Sequence, residues 1–360
     1  MKMKQRLSRV LYFIAFSAAV SSCNQSDPEP KGDFAKGVFV VNEGNFSQNN
    51  GAISFLKREN TTAEADIFSK VNGSALTGGV QGYAATGEYG VILVDNSNAG
   101  MDKIEFVNAY TFQKQGTIGA PDIENPREVV VAGNRAYVSC WGSYTSDYSS
   151  GYIAVVDITT RKVTKKIPIA GGPENLVFTT GKLFVGTVSY GEGKTLYVID
   201  TNAETVTKTI ALDATPTPIG LDANGKLWVG AGIKTMKIDP TSYAVETTLP
   251  IGTDANKIAG NFALTNDLKS IVFTLSYFDA NFVSHGETYK FGINDTQISL
   301  ATPLIRRMFT GLAVDPAQGL IYAGVTPSYA QAGYAIRYRA DGSVVDSVKV
   351  NVAPTGFFFQ

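Results

Sequence analysis

The stretches PREVVVAGNRAYVS (126–139), PENLVFTTGKLFVG (173–186) and PTPIGLDANGKLWVG (216–230) carry one pattern three times. Their leading residues Pro126, Pro173 and Pro216 lie 47 and then 43 residues apart. That period is too short for independent domains and right for a supersecondary unit that buries its apolar face only against its neighbours. Each copy holds two apolar strands around a tight polar turn. A period-2 segment ending near an Asp follows in each case: YIAVVDITT (152–160), TLYVIDTN (195–202) and TMKIDPTS (235–242). A further alternating strand (KVTKKIPIAGG, ETVTKTIALD, YAVETTLPIG) closes the unit. Four consecutive strands per unit, lettered A to D, are the blade arrangement of a β-propeller, so the fold is expected to be all-β.

Relaxing the pattern finds three more copies of the A strand, turn and B strand, in VQGYAATGEYGVILVDN (80–96), GNFALTNDLKSIVFTLS (260–276) and FTGLAVDPAQGLIYAGV (309–325). That makes six complete units. Near the start, GVFVVNEG (37–44), GAISFLKREN (51–60) and TTAEADIFSKV (61–71) match strands B, C and D without an A. The segment APTGFFFQ (353–360) matches an A strand alone. Together they complete a seventh blade, and the closure removes the open sheet edges that an incomplete ring would expose. Residues 37–360 are therefore expected to form one seven-bladed domain. The 36 Gly and 14 Pro suit its turns, and the 20 Phe and 17 Tyr suit its strands.

Residues 1–22 combine Lys2, Lys4, Arg6 and Arg9 with the apolar run LYFIAFSAAV (11–20), a core too short to span a bilayer and flanked as in a signal peptide. The small residues before Cys23 resemble the bacterial lipoprotein signal, which implies that Cys23 is acylated and that the membrane is reached through lipid chains alone. Residues 23–36 read as a polar tether, whose early acids resemble the surface-export signals of Bacteroidota lipoproteins. Removing the leader leaves 27 Lys and Arg against 32 Asp and Glu. Such a balance argues against nucleic acid as a partner. With Cys23 lipidated, Cys140 is the only thiol left, and it reads as a small buried strand residue.

The strings YVSCWG (137–142), LFVGTVSYG (183–191) and VVDITTRKV (155–163) resemble the YVTN-type propeller repeat of bacterial surface-layer and secreted proteins. The opening GVFVVNEGNFSQNNGAISF (37–55), following a lipoprotein signal, resembles Bacteroidota cell-surface propeller lipoproteins. That group includes a cobalamin-binding lipoprotein that sits on a TonB-dependent transporter. The resemblance implies an outer-membrane, surface-exposed protein that passes a small ligand, a corrinoid first among candidates, to such a transporter.

Chain direction sorts the loops between two faces. The A–B turns are short and polar. The B–C connections are long and mix aromatics with Asn and Ser, and they share a face with the D–A crossovers. They carry Phe46, Trp141, Tyr144, Tyr148, Tyr190, Tyr277, Phe278, Phe282 and Tyr329. Rigid aromatic surface among adaptable hydrogen-bonding groups is the composition of recognition surfaces, although long loops also need such residues for their own packing. The A strands should line a central channel, with Gln81, Arg127, Glu174, Asn175, Thr217, Asn261, Thr310 and Thr355 ringing its mouth. A polar floor beneath an aromatic rim suits a polar ligand with extended apolar or π surface. A water-filled channel would need a polar lining in any case, and Arg127 and Glu174 can equally form an ion pair between adjacent blades.

Catalysis finds little support. His285 is the sole histidine, so a multi-histidine metal site is impossible and a Ser–His–Asp or Cys–His arrangement has one residue to draw on. His285 reads as the end of a surface loop. Asp157, Asp200 and Asp239 recur at one blade position, as turn formers do. The loop DNSNAGMD (95–102) lacks the closing Glu of a calcium loop. The expectation is a non-enzymatic binding protein without metal or cofactor. A surface propeller binding protein or glycan is the alternative. A lyase or hydrolase is a third, which a cluster of acids and Arg at the channel mouth would favour.

Overall fold

The computed structural model describes residues 31–144, 147–188 and 193–360. The leader, Cys23 and Tyr190 lie outside the described residues. Residues 31–360 form one compact unit in which seven antiparallel sheets are arranged as blades. The first blade begins with β1 (Val38–Asn42) and β2 (Ala52–Leu56), and the short helix α1 (Ile67–Asn72) follows. The second holds β3 (Gly79–Thr86), β4 (Tyr89–Asp95), β5 (Lys103–Asn108) and β6 (Lys114–Gly119). The third comprises β7 (Pro126–Ala132), β8 (Arg135–Cys140), β9 (Tyr152–Asp157) and β10 (Lys162–Pro168). Blade four contains β11 (Pro173–Thr179), β12 (Lys182–Thr187), β13 (Thr195–Asp200) and β14 (Thr205–Ala211). Blade five contains β15 (Pro216–Leu221), β16 (Leu227–Ala231), β17 (Lys234–Ile238) and β18 (Val245–Pro250). Blade six has β19 (Ile258–Leu264), β20 (Ser270–Phe278) and β21 (Ser284–Gly292). Blade seven has β22 (Gly311–Val314), β23 (Ile321–Val325), β24 (Tyr334–Tyr338) and β25 (Val344–Lys349). The last strand, β26 (Pro354–Phe359), returns to pair with β1, Val38 opposite Phe359 and Val40 opposite Phe357. The ring closes as the sequence predicts.

Middle strands read as continuous apolar runs because each blade packs between two others. Strands β8 and β9 are buried along almost their whole length, whereas the outer β14 and β18 are largely exposed. Hydrophobic clusters fill the gaps between blades. Leu93, Ile104 and Phe106 of blade two meet Val129, Val138 and Val156 of blade three. Tyr137, Ile153 and Val155 of blade three meet Leu176, Leu183 and Ile199 of blade four. Each fully buried Ile, Leu or Val there contributes about 1.5–3 kcal/mol. Cys140 lies in the first of these clusters, fully buried, with its thiol pushed up to about 12 by burial. The C-strand acids are turn formers: Asp157, Asp200 and Asp239 each accept backbone N–H bonds from residues two or three ahead.

Three expectations need correction. The D strand read over 61–71 is not a strand. Glu64 makes one bridge to Phe55, and α1 follows, capped by the Asp66 side chain on Ser69 N–H and by Gly73 in the left-handed region at φ 69°. Ile67 and Phe68 of α1 bury against the first two blades, which supplies the apolar cover that a fourth strand would have given. Blade six is likewise short of its D strand, with a single bridge between Thr288 and Ile305 in its place. The tether expected over 23–36 ends sooner than Lys36, because Phe34 is 3% exposed and packs edge-on against Phe55 and Phe112. Among the described residues, no helix is long and apolar enough to cross a membrane.

Candidate functional site

The first strands of the blades, together with β26, surround a central cavity of about 610 Å³. Gln81, Arg127, Glu174, Asn175, Thr217, Asn261, Thr310 and Thr355 all line it, as the repeat register predicts. A recurring β-bulge presents most of them. In β7 the register runs from Pro126 opposite Cys140 to Val129 opposite Val138, so Arg127 and Glu128 together face one partner residue. The same irregularity lies between Pro173 and Leu176 at Glu174 and Asn175, and between Gly260 and Ala263 at Asn261. It recurs at Gln81 in β3 and where β26 passes Thr355. An extra residue bends the strand and re-aims side chains, so two consecutive residues reach the channel where a regular strand would offer one.

Arg127 is the hub of this mouth. Its Nε lies 3.2 Å from Glu174 Oε2, and its Nη1 lies 3.3 Å from Asp95 Oδ2. Its guanidinium sits 4.1 Å above the Trp141 ring, and Trp141 Nε1 donates to Glu174 Oε2 at 2.9 Å. Blades two, three and four are thereby tied together. Tyr148 meets Trp141 edge-on at 5.0 Å. The ion pair anticipated between Arg127 and Glu174 is present, and Trp141 has both a face and its N–H engaged within it.

Three acids that the sequence reading did not place at the channel belong to the site. Glu43 and Glu128 line the cavity, and buried Asp95 stands behind Arg127. Burial raises Asp95 to about 7 despite Arg127, helped by repulsion from Asp102 and Glu43. Burial likewise raises Glu128 to about 7, against the stabilising N–H bonds that its Oε2 accepts from Leu176 and Asn175. Glu128 is half-buried and lines the central cavity. The polar pairs Arg127–Glu128 and Glu174–Asn175, each followed by an apolar residue, break period 2 and were the available signal for the bulge.

The rim aromatics divide. Phe46, on a 3-10 turn, is 53% exposed, Tyr329 54% and Phe282 86%. Tyr144, Tyr277 and Phe278 are also exposed, while Trp141 and Tyr148 are half-buried. The B–C connection expected to loop out with Tyr277, Phe278 and Phe282 and to end at His285 is mostly strand. Tyr277 pairs with His285 and Phe278 with Ser284, leaving a tip that Asp279 organises through Asn281 and Val283 N–H groups. His285 is therefore fixed in β21, stacked on Tyr277 at 5.4 Å with Nε2 3.0 Å from Asp279 Oδ2. Recesses of about 580 and 420 Å³ flank Tyr277, and Lys257 lines both. In the loop after β4, the oxygens of Asp102 receive Asn96 and Asn125 N–H groups. Among the described residues, no group of three or more His, Cys, Asp or Glu is placed to hold a metal ion.

The family described as "Domain of unknown function (DUF5074)" matches residues 36–359, and the chain belongs to it. A quinoprotein alcohol dehydrogenase-like protein of Bacteroides thetaiotaomicron has a similar structure (TM-score 0.61, 18% identity, 91% of this chain and 78% of that one). So has Kuenenia stuttgartiensis hydrazine synthase (TM-score 0.56, 16% identity, 77% and 88%). The Pan2 WD40 domain of Neurospora crassa also shares the fold (TM-score 0.54, 12% identity, 78% and 81%). At these identities the likeness is one of fold. No curated protein sequence matches the chain. The YVTN-type and cobalamin-group resemblances rest on the sequence strings alone.

Proposed function

We propose that this DUF5074 propeller is a non-enzymatic capture protein. It is lipid-anchored through Cys23 at the outer membrane, on the cell surface, and holds a small or medium ligand on its loop-rich face for transfer to a TonB-dependent transporter. The observation that carries this reading is the cavity of about 610 Å³ with bulge-presented polar side chains at its mouth, on the face that also bears exposed Phe46, Tyr277, Phe278 and Tyr329. Capture works by stacking and hydrogen bonding, with no bond made or broken. Resemblance makes a corrinoid the first ligand to try, lying across the rim because its bulk exceeds the channel. Calorimetric titration of residues 31–360 with cobalamin and cobinamide tests this, since that unit contains all seven blades. Tight binding supports corrinoid capture, and no heat with either removes the corrinoid.

The acids gathered around Arg127 favour a second reading, a lyase or hydrolase. Burial raises both Asp95 and Glu128 above the usual carboxylate range, toward that suited to general acid–base work. Against it, Arg127 and Glu174 are spent on each other and on Trp141. Turnover of a glycoside or ester substrate that is lost in Glu128→Gln would favour this reading over capture. A protein- or glycan-binding surface, the remaining alternative, calls for a flat loop face, whereas the central cavity is recessed.

A further inference from the structure

The recess of about 420 Å³ on the sixth blade shares no lining residue with the central cavity. Its floor follows from strand register. Tyr277 of β20 stands opposite His285 of β21. His285, Glu287 and Tyr289 alternate along β21, so all three point to one side of the sheet. Lys257, from the crossover before β19, and Arg306, from the segment after β21, complete the lining.

Positive charge predominates there. Lys257 is half-buried, and among the described residues its ammonium makes no ion pair; it lies 5.8 Å from the centre of the Tyr277 ring. Arg306 makes no side-chain hydrogen bond among the described residues, and its one ion pair, from Nη1 to Glu287 Oε1, is 3.9 Å long. Glu287, the one acid of the lining, is turned to Tyr289, whose hydroxyl donates to its Oε2 at 2.6 Å. Two cations against one carboxylate leave a single positive charge, which a monoanion balances and a phosphate dianion exceeds. Arg306 keeps its planar fork of donors free, the geometry that matches a carboxylate.

The aromatic wall of the recess is already set. Tyr277 and His285 stack at 5.4 Å with their planes 26° apart, and Asp279 Oδ2 lies 3.0 Å from His285 Nε2 and fixes the imidazole. Rings held in place lose little freedom when they receive a ligand.

We infer that this recess is an anion site, in which Lys257 and Arg306 hold the carboxylate of a small aromatic acid whose ring packs against Tyr277 and His285. The site goes beyond the capture reading and does not depend on it, and its test shares no probe with the corrinoid titration.

The full chain is titrated calorimetrically near neutral pH with indole-3-acetate, its neutral isostere indole-3-acetamide, and tryptamine. The acid is expected to bind about tenfold more tightly than the amide, with the amine weaker still. Arg306→Gln and Lys257→Gln should each cut that advantage to about threefold, and the double variant should erase it while the thermal midpoint stays in place. Tyr277→Leu should weaken acid and amide alike and leave their ratio unchanged, which separates the ring's part from that of the cations. Equal affinity for acid and amide would overturn the site. So would an advantage that survives the double variant, which would place the acid elsewhere on the protein, or the absence of heat from indole-3-acetate with the wild type.

Discussion

Arg58 places its Nε 2.6 Å from Asp315 Oδ2 across the seam between the first and seventh blades, and its Nη1 donates to the main-chain oxygen of Gln360 at 2.8 Å. Asp315 is fully buried there, and Arg58 is held in turn by Arg337, whose guanidinium donates to its carbonyl. The β1–β26 ladder closes the ring through the backbone, and this ion pair clamps the same seam through side chains.

Removing one partner of such a pair leaves a buried charge without compensation. Arg58→Ala is expected to lower stability by about 3 kcal/mol, the low end for a buried pair because Asp315 keeps the N–H of Ala317. Urea unfolding checks this. An unchanged midpoint would show that the backbone ladder alone holds the seam.

Gly186 ends the pattern LFVG in β12, and an added Cβ there would stand 2.3 Å from the carbonyl oxygen of Pro216, where β15 begins. Gly324 stands in the same relation to Pro354. Backbone cannot yield as a flexible side chain does, so Gly186→Ala should cost about 1–3 kcal/mol. It should also displace Thr217 at the channel mouth. Thermal unfolding together with a crystal structure of the variant would show both.

Glu128 makes stability depend on pH. Its folded value near 7 lies above the ordinary 4.5, so the folded state binds more protons than the unfolded one between those values. Stability from this group is full below about 4.5 and is lost as pH rises through about 7. Glu128→Gln should therefore flatten the decline, gaining up to about 3 kcal/mol over wild type at pH 8 relative to pH 4. Parallel midpoint-against-pH curves for the two proteins would contradict the assignment.

Alanine at Trp141 and Tyr277 together should weaken ligand capture more than about tenfold. The single variants separate two mechanisms. Trp141→Ala frees Arg127 and Glu174 and should lower the thermal midpoint as well as affinity. Tyr277→Ala removes an exposed ring and should lower affinity alone. Unchanged affinity in the double variant would move the site away from this face.

Much of the fold was legible because a repeat repeats its errors as well as its signals. One turn, one proline and one Asp recurring at fixed offsets set the register of every blade, and register decides which residues face the axis. Gln81, Asn175, Asn261 and Thr355 could thus be placed on the channel without any view of it. The first and sixth blades departed from the pattern where local chemistry offered another way to cover an edge, as the Asp66 and Gly73 caps did around α1.

Sequence by itself determined the seven-bladed ring, its closure by residues 353–360 and the division between turn-bearing and loop-bearing faces, because these follow from periodicity and chain direction. Only the tertiary structure decided the chemistry of the mouth. Bulges turned Glu128 into the channel, neighbouring blades brought Asp95 and Glu174 to Arg127, and pairing beyond the expected strand ends raised Tyr277 and His285 onto a hairpin. Those outcomes depend on contacts between residues of different blades, 32 and 47 positions apart around Arg127, which no local pattern records.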